Sequence, residues 1–245
     1  MTRQLVILSA SMLVTLMLGS VHAFSVFILP LEEQLLLPRS EISLIYSFAL
    51  VSITISVLFG HRIYGALPSW LLVALSCLMA AFGVYLAAGA DGWWQLFWGY
   101  SVLFGIANGI GYGFCLQLVG REMPRIKGLA MGAVTAAYAV GSVLFARIFA
   151  AQIEAQSLAA ALMALVTGLV ICAAISATLL LVVKASFGEV SVLKSGVISR
   201  TKVIQFWFAY MTSVFAGQRS TRAPARKPPI ALPTPIVTAP VVASP

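Results

Sequence analysis

Leu158-Ala159-Ala160-Ala161-Leu162-Met163-Ala164-Leu165-Val166-Thr167-Gly168-Leu169-Val170-Ile171-Cys172-Ala173-Ala174-Ile175-Ser176-Ala177-Thr178-Leu179-Leu180-Leu181-Val182-Val183 carries no charged residue from end to end. The hydrocarbon core of a bilayer is about 30 Å thick and needs about 20 mainly apolar residues in helical form, so this stretch can cross it. Five further runs of that kind precede it, bounded by charge, Pro or Gly: Leu5 to Leu29, Ser40 to Phe59, Ser69 to Ala90, Trp93 to Val119 and Gly128 to Ala150. Transmembrane strands would need only about ten residues in strict alternation, which none of the runs shows. A helix satisfies its backbone amides and carbonyls along its own length, as hydrocarbon demands. The expected fold is an all-α membrane protein, a six-helix transmembrane bundle over residues 1–183.

Composition points the same way. The 245 residues are 61% apolar and only 9% charged, against about 25% charged in a typical globular chain, which removes most soluble enzymes from consideration. Fifteen Lys and Arg against seven Asp and Glu leave a formal charge of +8. The basic residues fall between apolar runs, so they read as topology marks and not as a surface for nucleic acid. With the N-terminus in the cytoplasm, Arg3, Arg62, Arg121, Arg125, Lys127, Lys184, Lys194, Arg200 and Lys202 lie inside, and only Arg39 and Arg147 lie toward the outside. This bias predicts a multi-pass protein of the inner (cytoplasmic) membrane with a cytoplasmic N-terminus.

Arg3, the apolar stretch to Leu18, and Gly19-Ser20-Val21-His22-Ala23 also have the three regions of a secretory signal. The apolar run continues through Phe24 to Leu29, however, and removing the first helix would spoil the charge asymmetry, so the first span is expected to stay. Cys77, Cys115 and Cys172 are odd in number, embedded in apolar runs and without CxxC spacing, which reads as packed membrane thiols. After Val183 the chain turns polar. A cytoplasmic linker is expected over 184–202, an incomplete seventh helix over 203–217, and a disordered tail rich in Pro and Arg over 218–245.

From Leu5 to about Gly217 the chain resembles the N-terminal half of a major facilitator superfamily transporter, nearest to the oxalate/formate antiporter and monocarboxylate porter branch. Three stretches carry the resemblance: Gly19-Ser20-Val21-His22-Ala23-Phe24-Ser25-Val26-Phe27-Ile28-Leu29-Pro30-Leu31, Phe104-Gly105-Ile106-Ala107-Asn108-Gly109-Ile110-Gly111-Tyr112-Gly113, and Arg121-Glu122-Met123-Pro124-Arg125-Ile126-Lys127-Gly128-Leu129-Ala130-Met131-Gly132. The third is similar to that branch's loop between helices four and five, and Gln205-Phe206-Trp207 to the start of its seventh helix. Gly60-His61-Arg62-Ile63-Tyr64-Gly65-Ala66-Leu67-Pro68 departs from the family's loop between helices two and three, keeping a glycine and an arginine without the acid. The resemblance implies twelve helices in two halves with substrate held between them near the midplane, of which this chain supplies one half. The short seventh run and its tail then read as a truncated or frame-shifted product.

Polar residues inside a span are costly and mark candidate sites. Ser11, Thr15 and His22 fall at intervals of four and seven on one face of the first run, with Ser25 a turn further on. His22 titrates near neutrality in its ordinary state, which suits proton coupling, or it is a histidine hydrogen-bonded within the bundle. In the fourth run Ser101, Asn108 and Cys115 are seven apart, and Tyr112 follows Asn108 by four. The Asn108 amide can meet a substrate or bond one helix to another. Arg147, near the outer end of the fifth run, can attract a carboxylate, snorkel to the interface, or pair with Glu154. The second run adds Ser43, Ser47 and Thr54, and the fifth Thr135, Tyr138 and Ser142. In the family resembled, helices one, two, four and five border the cavity.

Small residues four apart, Ser101, Gly105, Gly109 and Gly113 in the fourth run and Gly128, Gly132 and Ala136 in the fifth, predict close helix approach. The Gly-x-Gly-x-Gly from Gly109 to Gly113 follows no strand and is no nucleotide fingerprint. No run carries an acid within its hydrocarbon depth, and no constellation for catalysis or metal binding stands out, so neither an enzyme nor a cofactor is expected. The expectation is a transporter-family membrane protein for small organic anions, monocarboxylate or oxalate-like, working by alternating access. Its substrate-binding candidates are Thr15, His22, Asn108, Tyr112 and Arg147. Its partners are the lipid bilayer and a second half-transporter or a homodimer, with no nucleic acid. The alternatives are a remnant that folds but transports nothing and a small membrane scaffold or sensor.

Overall fold

The structure is a computed structural model that describes residues 2–183 and 185. The expected linker (Ala185 apart), seventh run and tail over 184–245 lie outside the described residues. Within them the chain is helical, and six helical spans are long and apolar enough to cross a bilayer: Arg3–Val26, Arg39–Tyr64, Ser69–Ala88, Trp93–Glu122, Pro124–Ala155 and Leu158–Val182. These are the first to sixth spans below.

Each expected run has its span, and the ends move for local reasons. The first run is not one helix to Leu29. α1 (Thr2–Leu18) tightens into a 3-10 helix over Gly19–Val26, and after Phe27 a short α2 (Ile28–Leu35) begins. Pro30 sits in the first turn of α2, where its missing N–H would have no helical acceptor in any case. α3 (Arg39–Tyr64) follows Pro38 in extended conformation, and α4 (Ser69–Ala88) follows Pro68 likewise, so a proline opens both spans. The fourth span is composite: a short α5 (Trp93–Leu96), a π-helical stretch (Phe97–Phe104) and α6 (Gly105–Glu122). α7 (Lys127–Ala155) runs past the expected end at Ala150. α8 (Leu158–Val182) is capped by Ser157, whose hydroxyl accepts from the Ala160 amide.

Lipid tails are as apolar as leucine, so helices in a membrane hold together by close packing and a few polar bonds. The first span packs along the fifth, the fourth along the second, and the third along the sixth. The third also packs along the fourth, and the first touches the fourth and sixth as well. Glycines set the contact in the first two pairs. Gly19 faces the Tyr138 carbonyl and Gly141 the Leu16 carbonyl between the first and fifth spans. Between the second and fourth, a Cβ on Gly105 would lie 2.9 Å from the Ala49 oxygen, and one on Gly109 2.5 Å from that of Ile53.

One end of the bundle is cinched by three bonds. Arg3 Nη2 pairs with Glu122 Oε1 at 3.0 Å, Arg3 Nε donates to the Val183 carbonyl at 3.2 Å, and Gln4 Nε2 donates to the Glu122 carbonyl at 2.7 Å. The start of the first span therefore shares an end with the finish of the fourth and sixth, so the first runs opposite to both. At the far end Trp93, Trp94, Phe97 and Trp98 form an aromatic cluster in which Trp93 Nε1 donates to the Glu41 carbonyl, as suits a membrane interface.

Candidate functional site

Where α1 tightens into its 3-10 stretch, the regular ladder of backbone bonds changes register, and side chains from the fourth span bond to the carbonyls there. Asn108, fully buried in α6, donates from Nδ2 to the Leu18 carbonyl at 2.6 Å. Its Oδ1 accepts from the Tyr138 hydroxyl of the fifth span at 2.9 Å. Tyr100, in the π-helical stretch of the fourth span, donates to the Val21 carbonyl at 3.1 Å, and its neighbour Ser101 donates to the Ile45 carbonyl of the second span at 2.6 Å. Two irregular windings thus meet, 3-10 in the first span and π in the fourth. Such departures from α geometry often mark functional positions.

His22 sits within this 3-10 stretch and is half-buried. Its Nδ1 lies 2.8 Å from the Tyr46 hydroxyl of the second span. Its ring stands edge-on to Tyr138 at 5.3 Å between centroids. Tyr138 in turn lies against Tyr112 at 4.6 Å, and the Tyr112 hydroxyl is 3.3 Å from Thr135 Oγ1. Phe24 stacks on Tyr46 at 5.6 Å and tilts against Tyr100 at 4.8 Å, closing the apolar side. The first, second, fourth and fifth spans each contribute a hydroxyl, amide or imidazole to one cluster.

Of the five residues singled out by sequence, the structure brings His22, Asn108 and Tyr112 together around Tyr138. Thr15 lies about two turns from His22 along the first span and is fully buried. Its Oγ1 is 2.9 Å from the Ser11 carbonyl and 3.2 Å from the Val134 carbonyl of the fifth span, so its one proton is shared between its own helix and a neighbour. Arg147 stays apart. It follows Tyr138 by nine residues, about 13 Å along the helix and on the opposite face at about 100° per residue. There it is exposed and lines a shallow, open depression with Ala139, Val140, Val143 and Leu144, and it makes no ion pair with Glu154. Ser25, expected on the His22 face, is exposed.

Tyr46 and Tyr100 are not singled out by the sequence pattern. The available signal for Tyr46 is its place three residues after Ser43, on the same helical face as the stripe of small hydroxyls. Tyr100 gives no such signal, because its direction depends on the π winding. The small-residue stripe of the fifth run also corrects its expectation. Gly128, Gly132 and Ala136 are exposed, and a Cβ on either glycine would meet nothing within 4 Å, so they make no close helix contact here. Cys77, Cys115 and Cys172 are free and buried.

Compared with protein-family models and with curated proteins, the chain matches none. Its function is therefore read from the site.

Proposed function

We propose that this bundle is one half of an alternating-access transporter for small organic anions of the monocarboxylate or oxalate kind, similar to the N-terminal half of a major facilitator superfamily transporter. It sits in the inner membrane with its N-terminus in the cytoplasm. A second six-helix bundle, another copy of this chain or a separate half, closes the site and rocks against it. The observation that carries this reading is the cluster of His22, Tyr46, Tyr138, Asn108 and Tyr112. Polar side chains of the second, fourth and fifth spans gather at the irregular stretch of the first span, inside a region where each such group is costly unless used. Imidazole, phenol and amide groups can all donate to a carboxylate.

Two further features support the reading. The first and last three spans run in opposite senses, as the two parts of an inverted repeat do in many transporters. The exposed stripe of Gly128, Gly132 and Ala136 gives a second bundle a surface on which backbones can approach closely. A remnant that folds without transporting is the second reading. It is favoured by Asn108 and Thr15, whose polar atoms are spent on bonds between helices.

Uptake of labelled formate, oxalate and lactate into liposomes containing the purified chain tests the proposal. The expected result is saturable uptake of at least one anion, reduced about tenfold or more by His22→Gln or Tyr138→Phe. Parental uptake that neither substitution touches would remove the site, and no uptake by the parent would favour the remnant.

A further inference from the structure

We propose that Cys77 and Cys172 form a two-coordinate site for a thiophilic divalent cation of the mercuric kind, which clasps the third span to the sixth. The site is separate from the polar cluster around Tyr138 and does not depend on the anion reading. Three spans put a thiol at one depth. Cys77 is eight residues from the Ser69 end of α4, Cys115 seven from the Glu122 end of α6, and Cys172 ten from the Val182 end of α8. At about 1.5 Å per residue, all three lie about 10–15 Å from the end of the bundle that Arg3 cinches, within the hydrocarbon. Ser11 is the residue of the first span at that depth, and His22 lies eleven residues beyond it.

Packing brings two of the thiols together. The third and sixth spans lie along each other, and the Cys77 and Cys172 thiols are within hydrogen-bonding reach. Both residues are buried. Cys172 Sγ is also 3.7 Å from Ser176 Oγ, one turn further on. Cys115 stands close to both but is turned toward Ser11 of the first span. Among the described residues no three His, Cys, Asp or Glu side chains are placed to share one metal ion. The four-ligand cages that hold structural zinc are therefore absent there, and a cation at this place must be content with two sulfurs.

Charge decides which cation fits. A coordinating thiol gives up its proton outright, so a metal here meets two thiolates. A monovalent cation would leave a net negative charge buried in hydrocarbon, where an unpaired charge is strongly disfavoured. A divalent one leaves the site neutral. Thiolates select soft metals, and mercuric ion is the soft divalent cation that takes two sulfurs in line. Its neutral dichloride dissolves in hydrocarbon, which gives it a route to thiols that water does not reach. The step is an exchange: two S–H and two Hg–Cl bonds break, two Hg–S bonds form, and two molecules of HCl leave. No electron changes hands.

The clasp joins parts of the chain far apart in sequence, and this makes it measurable. The exposed Arg121, Arg125 and Lys127 lie between the third and sixth spans, so tryptic cuts there separate Cys77 from Cys172. A Cys115→Ala chain, purified whole in detergent, keeps one thiol on each side of the cuts. With equimolar mercuric chloride its intact mass should rise by one mercury less two hydrogens, with no chloride retained, and the parent chain should show the same shift. After trypsin, the pieces carrying the third and sixth spans should run together on a denaturing gel and separate when a dithiol is added. Adding Cys77→Ala or Cys172→Ala should leave only a single-thiol adduct that keeps one chloride, with the pieces apart.

Chloride-bearing adducts alone, or separated pieces, in the Cys115→Ala chain would overturn the clasp. So would linkage of the pieces that survives the loss of Cys77 or Cys172. Zinc chloride should shield neither thiol from maleimide, and shielding by zinc would contradict the two-ligand geometry. Should a double variant fail to fold, the Cys115→Ala chain decides the matter alone; should that chain fail, the mass of the parent does.

Discussion

Asn108 bonds to the first span through its amide nitrogen and to the fifth through its oxygen, without contact with solvent. A hydrogen bond between membrane helices is worth about 0.6 kcal/mol on average, but a buried partner left unpaired costs about 1–3 kcal/mol. Asn108→Leu leaves the Leu18 carbonyl and the Tyr138 hydroxyl to find other partners, so a loss of about 1–2 kcal/mol is expected. Tyr138→Phe removes one bond and should lose less. Unfolding of the purified variants in detergent gives the order, and Asn108→Leu as stable as the parent would show that the amide holds nothing together. Sequence made this residue visible because an amide inside an apolar run stands out. It did not say which use the amide has, since spacing along one helix carries no information about the helix opposite. Arg147 shows the converse: an arginine near the outer end of a span suggests an anion, yet only the rotation of the helix tells that it faces away from the cluster.

The spans themselves were legible almost in full, because hydrocarbon thickness imposes one length and one polarity on each. The windings inside them were not. A 3-10 stretch over Gly19–Val26 and a π stretch over Phe97–Phe104 have the same apolar composition as the α-helix around them, and they depend on bonds made to other spans. Glycine stripes were half legible. The same four-residue repeat is packed tight at Gly105 and Gly109 and open at Gly128 and Gly132, because the pattern fixes a face of the helix and not what covers it. The contrast makes a prediction for these elements. Gly109→Val, which drives a side chain into the Ile53 carbonyl, should cost about 1–3 kcal/mol or more. Gly128→Ala and Gly132→Ala should cost nothing and can gain up to about 1 kcal/mol from helix propensity. Equal losses at Gly109 and Gly132 in a thermal unfolding series would mean that the fifth-span stripe is packed within a single bundle.

At the scale of the whole molecule, six spans in alternating direction put two kinds of chemistry at opposite ends. The end cinched by Arg3 and Glu122 also carries the exposed Arg62, Arg121, Arg125 and Lys127, and the other end carries the tryptophan cluster. The polar cluster lies between, reached from the first, second, fourth and fifth spans. Everything assigned to it depends on the chain crossing a bilayer six times with Arg3 inside. Single cysteines at Ser40, Ala66, Asp91, Arg125 and Gln156, in a chain whose own three cysteines are replaced by alanine, can be labelled with an impermeant maleimide in sealed vesicles of known sidedness. The account requires Ser40, Asp91 and Gln156 to react only from the outer face and Ala66 and Arg125 only from the inner one; two successive sites reacting from the same face would contradict it.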